Sequence, residues 1–420
     1  MRTAPGLPVV VVGGSLAGMA AAARLAKNRH DVIMVDAADR LGGRFATRSA
    51  HDLQVDALPG MITFPAPWRD LFRKSGREFD TTMTRAGLAL VPAPPTRHQF
   101  DDGTELVLAA NRGVQLAQLT QAYGRPVAER WRDLVDHLDD VWQALRPLGS
   151  EDDLTSPEMI TSSRLHALIA PGRTVEQLAR EMEEPHLADI IRSVAWRLGS
   201  EPRRTPAWCV VQLSVERTFG RWLMQRDGVP TRTGELVDAL TSRLELRRVE
   251  VRLATTVNRI ATDRHGVHTV DTTGGRLHAA AVVCATNPWA YADLARDRRA
   301  LRGIRPARAA QVTHELVGEP CPEPAETIRH TTAGPVVRWT RPVGGSTMIS
   351  SHDWPAGAPD RGAGIAWRGE RTWLRMPSIR TRAPDRYLVG PHSRGGAGLS
   401  ATVLSGALAS YACHDDLSTS

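Results

Sequence analysis

Apolar residues at the start of the chain form two short runs separated by a helical pattern. Residues 7–12 read Leu-Pro-Val-Val-Val-Val, and residues 31–35 read Asp-Val-Ile-Met-Val. Continuous apolar runs of this length are typical of parallel strands that are buried on both faces. Residues 17–27 are mostly Ala, Leu and Met, which favour helices. The pattern therefore predicts a strand, a helix and a second strand joined as a βαβ unit.

The middle of the chain is expected to be helical. Apolar residues recur at helical spacing from 127 to 145, and residues 171–199 hold two further helix-like runs. We therefore expect a mostly helical stretch from about residue 109 to residue 224.

Strand-like patterns return in the second half of the chain. Short Val-rich runs separated by turn residues predict strands at 248–252, 256–260, 265–270 and 281–285. Runs at 309–316 and 347–350 predict a further sheet. Residues 351–369, with two prolines and several glycines, are expected to form a loop.

A glycine-rich turn lies between the first strand and the first helix. It reads Gly13-Gly14-Ser15-Leu-Ala-Gly18. Gly13 allows a sharp turn out of the strand, Gly18 allows close packing of helix on strand, and the free N–H groups of the helix N-terminus suit a pyrophosphate. Asp36, at the end of the second strand, is placed to accept a hydrogen bond from a ribose hydroxyl and to repel a 2′-phosphate. Together these residues predict a dinucleotide site.

A second glycine pair follows Asp36 in the segment Arg40-Leu41-Gly42-Gly43-Arg44. An NAD-binding fold does not need this pair, whereas many flavoproteins use one to bring backbone and an arginine onto the cofactor. The combined pattern therefore favours FAD over NAD.

Composition and charge exclude several classes of protein. Hydrophobic residues make up 42% and charged residues 24%, an ordinary globular balance, and no apolar run reaches the ~20 residues of a spanning helix. The +7 net charge is carried almost wholly by dispersed arginines with no nucleic-acid-binding motif, so nucleic acid is not an expected partner. Four separated cysteines and no evident signal peptide indicate a reducing cytoplasm.

The chain resembles the FAD-dependent phytoene desaturase (carotenoid desaturase)-like family of the amine-oxidase-like flavoprotein superfamily. The matching blocks, in family order, are the glycine-rich unit through Arg44, Val55-Asp56-Ala-Leu58-Pro59, Phe100-Asp-Asp-Gly-Thr104, Gly228-Val-Pro230 with Thr233-Gly234, residues 249–288, and Gly390-Pro-His-Ser-Arg-Gly-Gly-Ala-Gly398-Leu399. Departures include Arg29 and Leu58 at family glycine positions, and Arg232-Thr233 within the Pro-x-Gly-Gly turn.

The resemblance implies both a fold and a domain order. The fold class is α/β, with a Rossmann-like FAD-binding domain and an interleaved substrate region of helices plus a mixed sheet. The FAD domain is expected in three parts, at 1–75, 228–300 and 378–420, the last with a C-terminal helix. Residues 76–227 would form a mostly helical substrate region, and residues 301–377 a substrate-side sheet.

The resemblance also implies site residues. The expected cofactor contacts are Gly13, Gly14, Ser15, Gly18, Asp36, Gly43, Arg44, Val257, Gly390, Gly396, Gly398 and Leu399. Val257 would lie against the adenine, and the helix opening at Leu399 would stabilise negative charge on the flavin. His392 is the one candidate for a catalytic acid or base, and Arg217 and Trp222 are candidates for the substrate side. His265 and His268 would point to opposite faces of a strand, so no metal site is expected.

The implied activity is dehydrogenation of an apolar, isoprenoid-type small molecule, with hydride transfer to flavin N5 and loss of a second proton. Oxygen and a quinone both remain open as the electron acceptor. We expect a cytoplasmic protein with peripheral membrane contact. A non-catalytic lipid- or protein-binding relative, an amine oxidase and a redox-neutral isomerase remain alternatives. An aromatic-ring hydroxylase is excluded because its Gly-Asp motif does not occur in the chain.

Overall fold

Strands and helices alternate through the chain. The computed structural model describes residues 6–57, 60–154, 156–169 and 171–419, so Leu58 and Pro59 of the family-like block lie outside the described residues. The strands are β1 Val9–Val12, β2 Val32–Val35, β3 Arg48–Ala50, β4 Leu53–Val55, β5 Ile62–Thr63, β6 Leu88–Pro92, β7 Arg97–Phe100, β8 Glu105–Val107, β9 Arg221–Arg226, β10 Val229–Pro230, β11 Glu250–Arg252, β12 Val257–Thr262, β13 His268–Thr272, β14 Gly275–Ala279, β15 Ala281–Cys284, β16 Pro306–Val317, β17 Ala325–Thr331, β18 Gly334–Val343, β19 Ser346–Ile365 and β20 Arg386–Leu388. The α-helices are α1 Leu16–Lys27, α2 Ala66–Ser75, α3 Phe79–Arg85, α4 Arg112–Tyr123, α5 Arg125–Leu145, α6 Glu158–Thr161, α7 Arg164–Leu168, α8 Val175–Glu181, α9 Pro185–Arg197, α10 Gln212–Phe219, α11 Glu235–Leu246, α12 Pro288–Ala295, α13 Arg371–Arg375 and α14 Leu399–Thr419.

A five-stranded parallel sheet in the order β11-β2-β1-β15-β20 forms the centre of the nucleotide-binding part. Its middle strand is buried on both faces, as the apolar run predicts. Val9 and Val11 pack into the core that contains α1 and α14, whereas Val10 and Val12 pack on the opposite side against β12–β14 and α12. The predicted βαβ unit, β1-α1-β2, is thereby confirmed. The sheet that contains it draws its strands from three separate segments of the chain.

The last helix, α14, packs along the first helix, α1. A side chain at Gly406 would overlap the backbone oxygen of Ala17 and lie 3.0 Å from the Cβ of Ala20, so the glycine allows the two helices to approach closely. Arg24 is buried at this contact, and its Nε donates to the hydroxyl of Ser410 at 3.0 Å.

A second large sheet is mixed and has the strand order β16-β19-β18-β17-β7-β8. Here the structure corrects the expected loop at 351–369, because β19 runs through Ser346–Ile365. Its first part, up to Asp353, pairs with β16 and β18; from Ala358 onward it pairs with β16 alone. A break in register at residues 354–357 lies between these parts. Prolines are tolerated at bulges and where one edge is unpaired.

The helical middle region follows the pattern closely. Helix α5 buries Trp131, Val135 and Leu138 along one face, and these residues share a separate apolar core with residues of α4, α8 and α9. The predicted helical stretch ends earlier than expected, at Phe219, because residues 221–226 form strand β9. None of the helices in the described ranges has the length and apolar character needed to cross a bilayer.

Candidate active site

The glycine-rich turn has the tight geometry that a dinucleotide site requires. Gly13 follows β1 directly and adopts a left-handed φ of +104°, and a Cβ there would lie 2.9 Å from the backbone oxygen of Ala285. A Cβ on Gly18 would overlap the backbone oxygen of Gly13 and approach the Cβ of Ala285 to 2.8 Å. The two glycines therefore let α1 begin directly against the sheet.

Asp36 lies at the end of β2 and faces the glycine-rich turn. Its Oδ2 accepts the N–H of Gly14 at 2.5 Å, and its Oδ1 accepts the N–H of Ala38 at 2.7 Å. The carboxylate also lines the cavity described below. It is placed where an acidic residue can accept a hydroxyl hydrogen bond from a ribose.

The second glycine pair joins this turn. The N–H of Gly42 donates to the backbone oxygen of Gly14 at 2.7 Å, and Gly42 and Gly43 have φ values of +103° and +57°. Ser15 is fixed from the other side, because its Oγ donates to the backbone oxygen of Ala285 at 3.0 Å. Arg44 Nη1 donates to the backbone oxygen of Gly362 at 2.6 Å, and burial lowers the pKa of this guanidinium.

The C-terminal turn closes the same space. The N–H of Gly390 donates to Ser405 Oγ at 3.1 Å, and Gly396 has a φ of +109°. Gly398 and Leu399, at the start of α14, line the cavity. The N-terminus of α14 therefore faces the cavity, and its positive dipole favours negative charge there.

One cavity of about 530 Å³ connects these segments to the substrate-side sheet. This volume is within the usual range for small-molecule and cofactor sites. From the nucleotide-binding segments and the C-terminal turn, its wall contains Gly13, Ser15, Asp36, Gly43, Arg44, Ala397, Gly398 and Leu399. The rest of the wall includes Met61, Val194, Val312, Trp339, His352 and Trp354.

Five further charged residues on the wall were missed by sequence reasoning. They are Arg197, Glu216, Arg221, Arg308 and Glu326. Arg308 Nη1 donates to the backbone oxygen of Pro355 at 3.4 Å. Arg221 Nη2 lies 2.9 Å from Glu326 Oε1, and Arg197 Nη2 lies 3.0 Å from Glu216 Oε1.

Arg217 and Trp222 do not line the cavity, which corrects the expectation for the substrate side. Arg217 instead forms ion pairs with Asp136 and Asp139 of α5. Trp222 pairs with Ile62 in the neighbouring strand, and its Nε1 donates to the backbone oxygen of Phe219 at 2.8 Å.

His392 is buried away from the cavity wall, with its ring against Gly390. Burial lowers its pKa to about 3, so the ring is neutral at pH 7 and does not fit the acid–base role considered from sequence. His352, which does line the cavity, is also neutral because burial lowers its pKa to about 3. Val257 begins β12 outside the cavity wall, and its adenine contact stays a prediction.

The residues present fit FAD. Side chains at Gly13 and Gly18 would fill the space where the turn approaches the sheet, and Asp36 and Arg44 supply an acid and a cation on the cavity wall. The start of α14 at Leu399 supplies a helix N-terminus on the same cavity. A glycine-rich turn, an acidic residue and a helix N-terminus are the elements that bind a dinucleotide.

Fold and site together define a flavoprotein of the dinucleotide-binding α/β class. Comparison with known families makes this specific: residues 16–362 match the family described as flavin containing amine oxidoreductase, and the chain belongs to that family. The FAD cofactor and the α/β FAD-binding fold predicted from sequence are thereby confirmed.

Similar proteins of known sequence are carotenoid desaturases. A lycopene-forming phytoene desaturase of Pantoea ananas is 24% identical over 306 residues, covering 72% of this chain and 59% of that protein. A hydroxyneurosporene desaturase of Cereibacter sphaeroides is 26% identical over 224 residues, covering 52% and 44%. The matches therefore span less than two thirds of the length of these relatives, and they confirm the resemblance to the carotenoid desaturase-like group.

Solved structures with the same fold cover nearly the whole chain. An oxidoreductase from Methanosarcina mazei superposes with a TM-score of 0.70 at 14% identity, over 96% of this chain and 99% of that one. Putrescine oxidase bound to putrescine superposes with a TM-score of 0.66 at 13% identity, over 98% and 99%. At such identities the likeness establishes the fold alone.

Proposed function

We propose that this flavoprotein dehydrogenates an apolar, unsaturated, isoprenoid-type small molecule and so forms a new carbon–carbon double bond. The observation that carries the proposal is the cavity that joins the nucleotide-binding turn to a wall containing Trp339, Trp354, Met61 and Val312. Aromatic and aliphatic side chains of this kind suit an apolar substrate. The relatives named phytoene desaturase and hydroxyneurosporene desaturase support the same substrate class.

The chain's own residues would hold the cofactor. Gly13, Gly18 and Asp36 would hold the nucleotide part, and Arg44 would neutralise negative charge beside it. When bound, FAD supplies a two-electron acceptor for the hydride that leaves the substrate. The N-terminus of α14 at Leu399 would stabilise the negative charge that develops at that end of the cavity.

An amine oxidase is the main competing function. Amine oxidases of the superfamily that the chain resembles commonly use a lysine that holds a water near flavin N5, and the positions of the lysines here argue against that role. The chain has two lysines. Lys27 ends α1, and Lys74 lies in α2. Neither lines the cavity, so neither is placed to hold a water beside a bound flavin.

We also propose peripheral contact with a membrane surface, since a long apolar substrate is poorly soluble in water. The +7 net charge would favour a surface that contains anionic lipids. Oxygen and a quinone both remain candidates for the electron acceptor. Sedimentation with vesicles that contain or lack anionic lipid tests the contact, and failure to sediment with either would refute it.

Anaerobic mixing of the flavin-loaded protein with phytoene or a related isoprenoid tests the activity. We expect the visible band of the flavin to be lost, and mass spectrometry to show a product with two hydrogens fewer. Putrescine serves as the comparison substrate for the amine oxidase alternative. Air or a quinone is then added to identify which acceptor restores the band.

Three results would refute the proposal. Bleaching by amines but not by any isoprenoid would assign an amine oxidase. A protein that stays colourless after incubation with excess FAD would instead favour a non-catalytic lipid- or protein-binding role. An isomerised product of unchanged mass would indicate the redox-neutral alternative.

A further inference from the structure

Two arginines and two glutamates form a charged group on the substrate side of the cavity. We call Arg197, Glu216, Arg221 and Glu326 the charged quartet. It comprises the two ion pairs described above, Arg221 with Glu326 and Arg197 with Glu216. All four side chains line the same cavity as the aromatic wall.

The quartet is held by elements from different parts of the fold. Arg197 ends α9, Glu216 lies in α10, Arg221 begins β9 and Glu326 lies in β17. Thr96 Oγ1 donates to Glu326 Oε1 at 2.7 Å. Only 6% of the Glu326 side chain and 14% of the Arg221 side chain are exposed, so the geometry is largely preformed.

Burying these charges is costly for the protein. Removing an ion from water is unfavourable, and mutual attraction offsets that cost only when the remaining donors and acceptors are satisfied. Arg197 Nε has no hydrogen-bond partner within the described part of the chain. A ligand made only of hydrocarbon would strip water from the quartet and return no hydrogen bond.

The charges of the quartet cancel. The fifth charged residue, Arg308, is engaged elsewhere, because its Nη1 donates to the backbone oxygens of Pro355 and Gly357. The chemistry of the quartet therefore calls for a neutral group. Arginine offers only donors and an ionised glutamate only acceptors. A hydroxyl can accept a hydrogen bond from an arginine and donate one to a glutamate.

We propose that the charged quartet binds a hydroxyl, or a similar neutral group that both donates and accepts hydrogen bonds, at one end of an otherwise apolar substrate. The inference rests on the proposed function, because that function supplies the apolar, unsaturated remainder of the substrate. It makes the substrate an unsaturated alcohol rather than a pure hydrocarbon.

Binding of a matched series of ligands to the flavin-loaded protein tests the proposal. The series is geranylgeraniol, its methyl ether, its carboxylic acid and the corresponding hydrocarbon, each delivered from cyclodextrin. Quenching of tryptophan fluorescence reports binding, because Trp339 and Trp354 line the cavity. We expect the alcohol to bind about tenfold more tightly than the hydrocarbon, and more tightly than the ether or the acid.

Matched variants then assign the preference to the quartet. In Glu216→Gln, an acceptor for the ligand hydroxyl is weakened and Arg197 loses its charged partner, so the alcohol preference should fall to about threefold or less. The control is Glu176→Gln, which alters a comparable pair, Glu176 with Arg192 at 3.0 Å, outside the cavity. The control should keep the preference of the unaltered protein.

The outcomes separate this proposal from the proposed function. Equal affinity for alcohol and hydrocarbon, tightest binding of the acid, or no measurable affinity for the alcohol would overturn the inference, even if isoprenoids still bleach the flavin. Selective binding of the alcohol without any bleaching would support the inference while the desaturase activity fails. The series on the unaltered protein decides the question even if Glu216→Gln does not fold.

Discussion

Replacing Gly18 with alanine would place one methyl group in the tightest part of the nucleotide-binding unit. The new Cβ would overlap the backbone oxygen of Gly13 and lie 2.8 Å from the Cβ of Ala285, whereas carbon atoms normally pack about 3.5–4.0 Å apart. Overpacking of this kind costs about 1–3 kcal/mol, and contact with rigid backbone places it at the upper end. Alanine also has a higher helix propensity than glycine, which stabilises the helix by about 1 kcal/mol. We expect a net loss of about 2 kcal/mol.

Urea unfolding of the flavin-free protein measures this loss directly, because bound FAD would add its own stabilisation. FAD retention after gel filtration is then measured separately and should also fall, since the methyl group pushes α1 away from the turn. Gly113→Ala is the matched control: it lies in α4, where the new Cβ would meet Asn111 Oδ1 at an ordinary 3.5 Å. That variant should be as stable as the unaltered protein, or slightly more stable.

The reasoning would be refuted by a Gly18→Ala protein that matches Gly113→Ala in both measurements. Such a result would mean that α1 can move away from the sheet without lowering the free energy of unfolding. If FAD retention fell while the free energy of unfolding stayed unchanged, Gly18 would be needed for cofactor binding rather than for the packing of α1.

Three further predictions concern other residues. Asp36→Asn should weaken FAD binding about tenfold, because one charged acceptor is lost, and ultrafiltration with fluorescence of the released flavin measures the change. Burial, with Arg386 close by, lowers the pKa of His268 to about 4. In the unfolded chain the ring binds a proton near pH 6.5, whereas in the folded protein it stays neutral down to about pH 4. The free energy of unfolding should therefore fall as the pH is lowered from about 6.5 to about 4. His268→Gln should reduce the loss between pH 7 and pH 5 by about 2 kcal/mol in urea titrations, and an unchanged loss would contradict this. Arg243 donates to the backbone oxygen of Phe72 at 2.9 Å and is 3% exposed. Arg243→Met should therefore lower the free energy of unfolding by about 3 kcal/mol in the same assay. A loss below about 1 kcal/mol would show that this buried hydrogen bond is not important for stability.

The parts of the molecule that depend on local chemistry could be predicted from the sequence. The turn from Gly13 to Gly18 and the acid at Asp36 belong to one βαβ unit, where each residue's role follows from its neighbours along the chain. The helices of the middle region likewise carry their own periodic signal. Strand β19 could not be predicted in this way, because its prolines are tolerated only through the bulge and the unpaired edge that tertiary pairing creates.

The substrate wall shows a second limit. Arg221 lines the cavity while its neighbour Trp222 does not, and successive residues of a strand point to opposite faces. Choosing between them requires knowing which face of β9 is covered, and that depends on β6 and β5, far away in the chain. The role of Glu326 could not be predicted from the sequence either, since its partner Arg221 lies in a different sheet.

The close packing of α14 on α1 determines when the cofactor site can form during folding. Arg24 and Ser410 meet across 386 positions of sequence, and β20, which completes the parallel sheet, lies just before the last helix. Loop closure over such separations is slow, because chain entropy is lost before any contact offsets it. Gly398 and Leu399 join the cavity only with this last segment. A chain still emerging from the ribosome would therefore hold the glycine-rich turn without a closed cavity, and FAD would be captured late, after the C-terminal helix has docked.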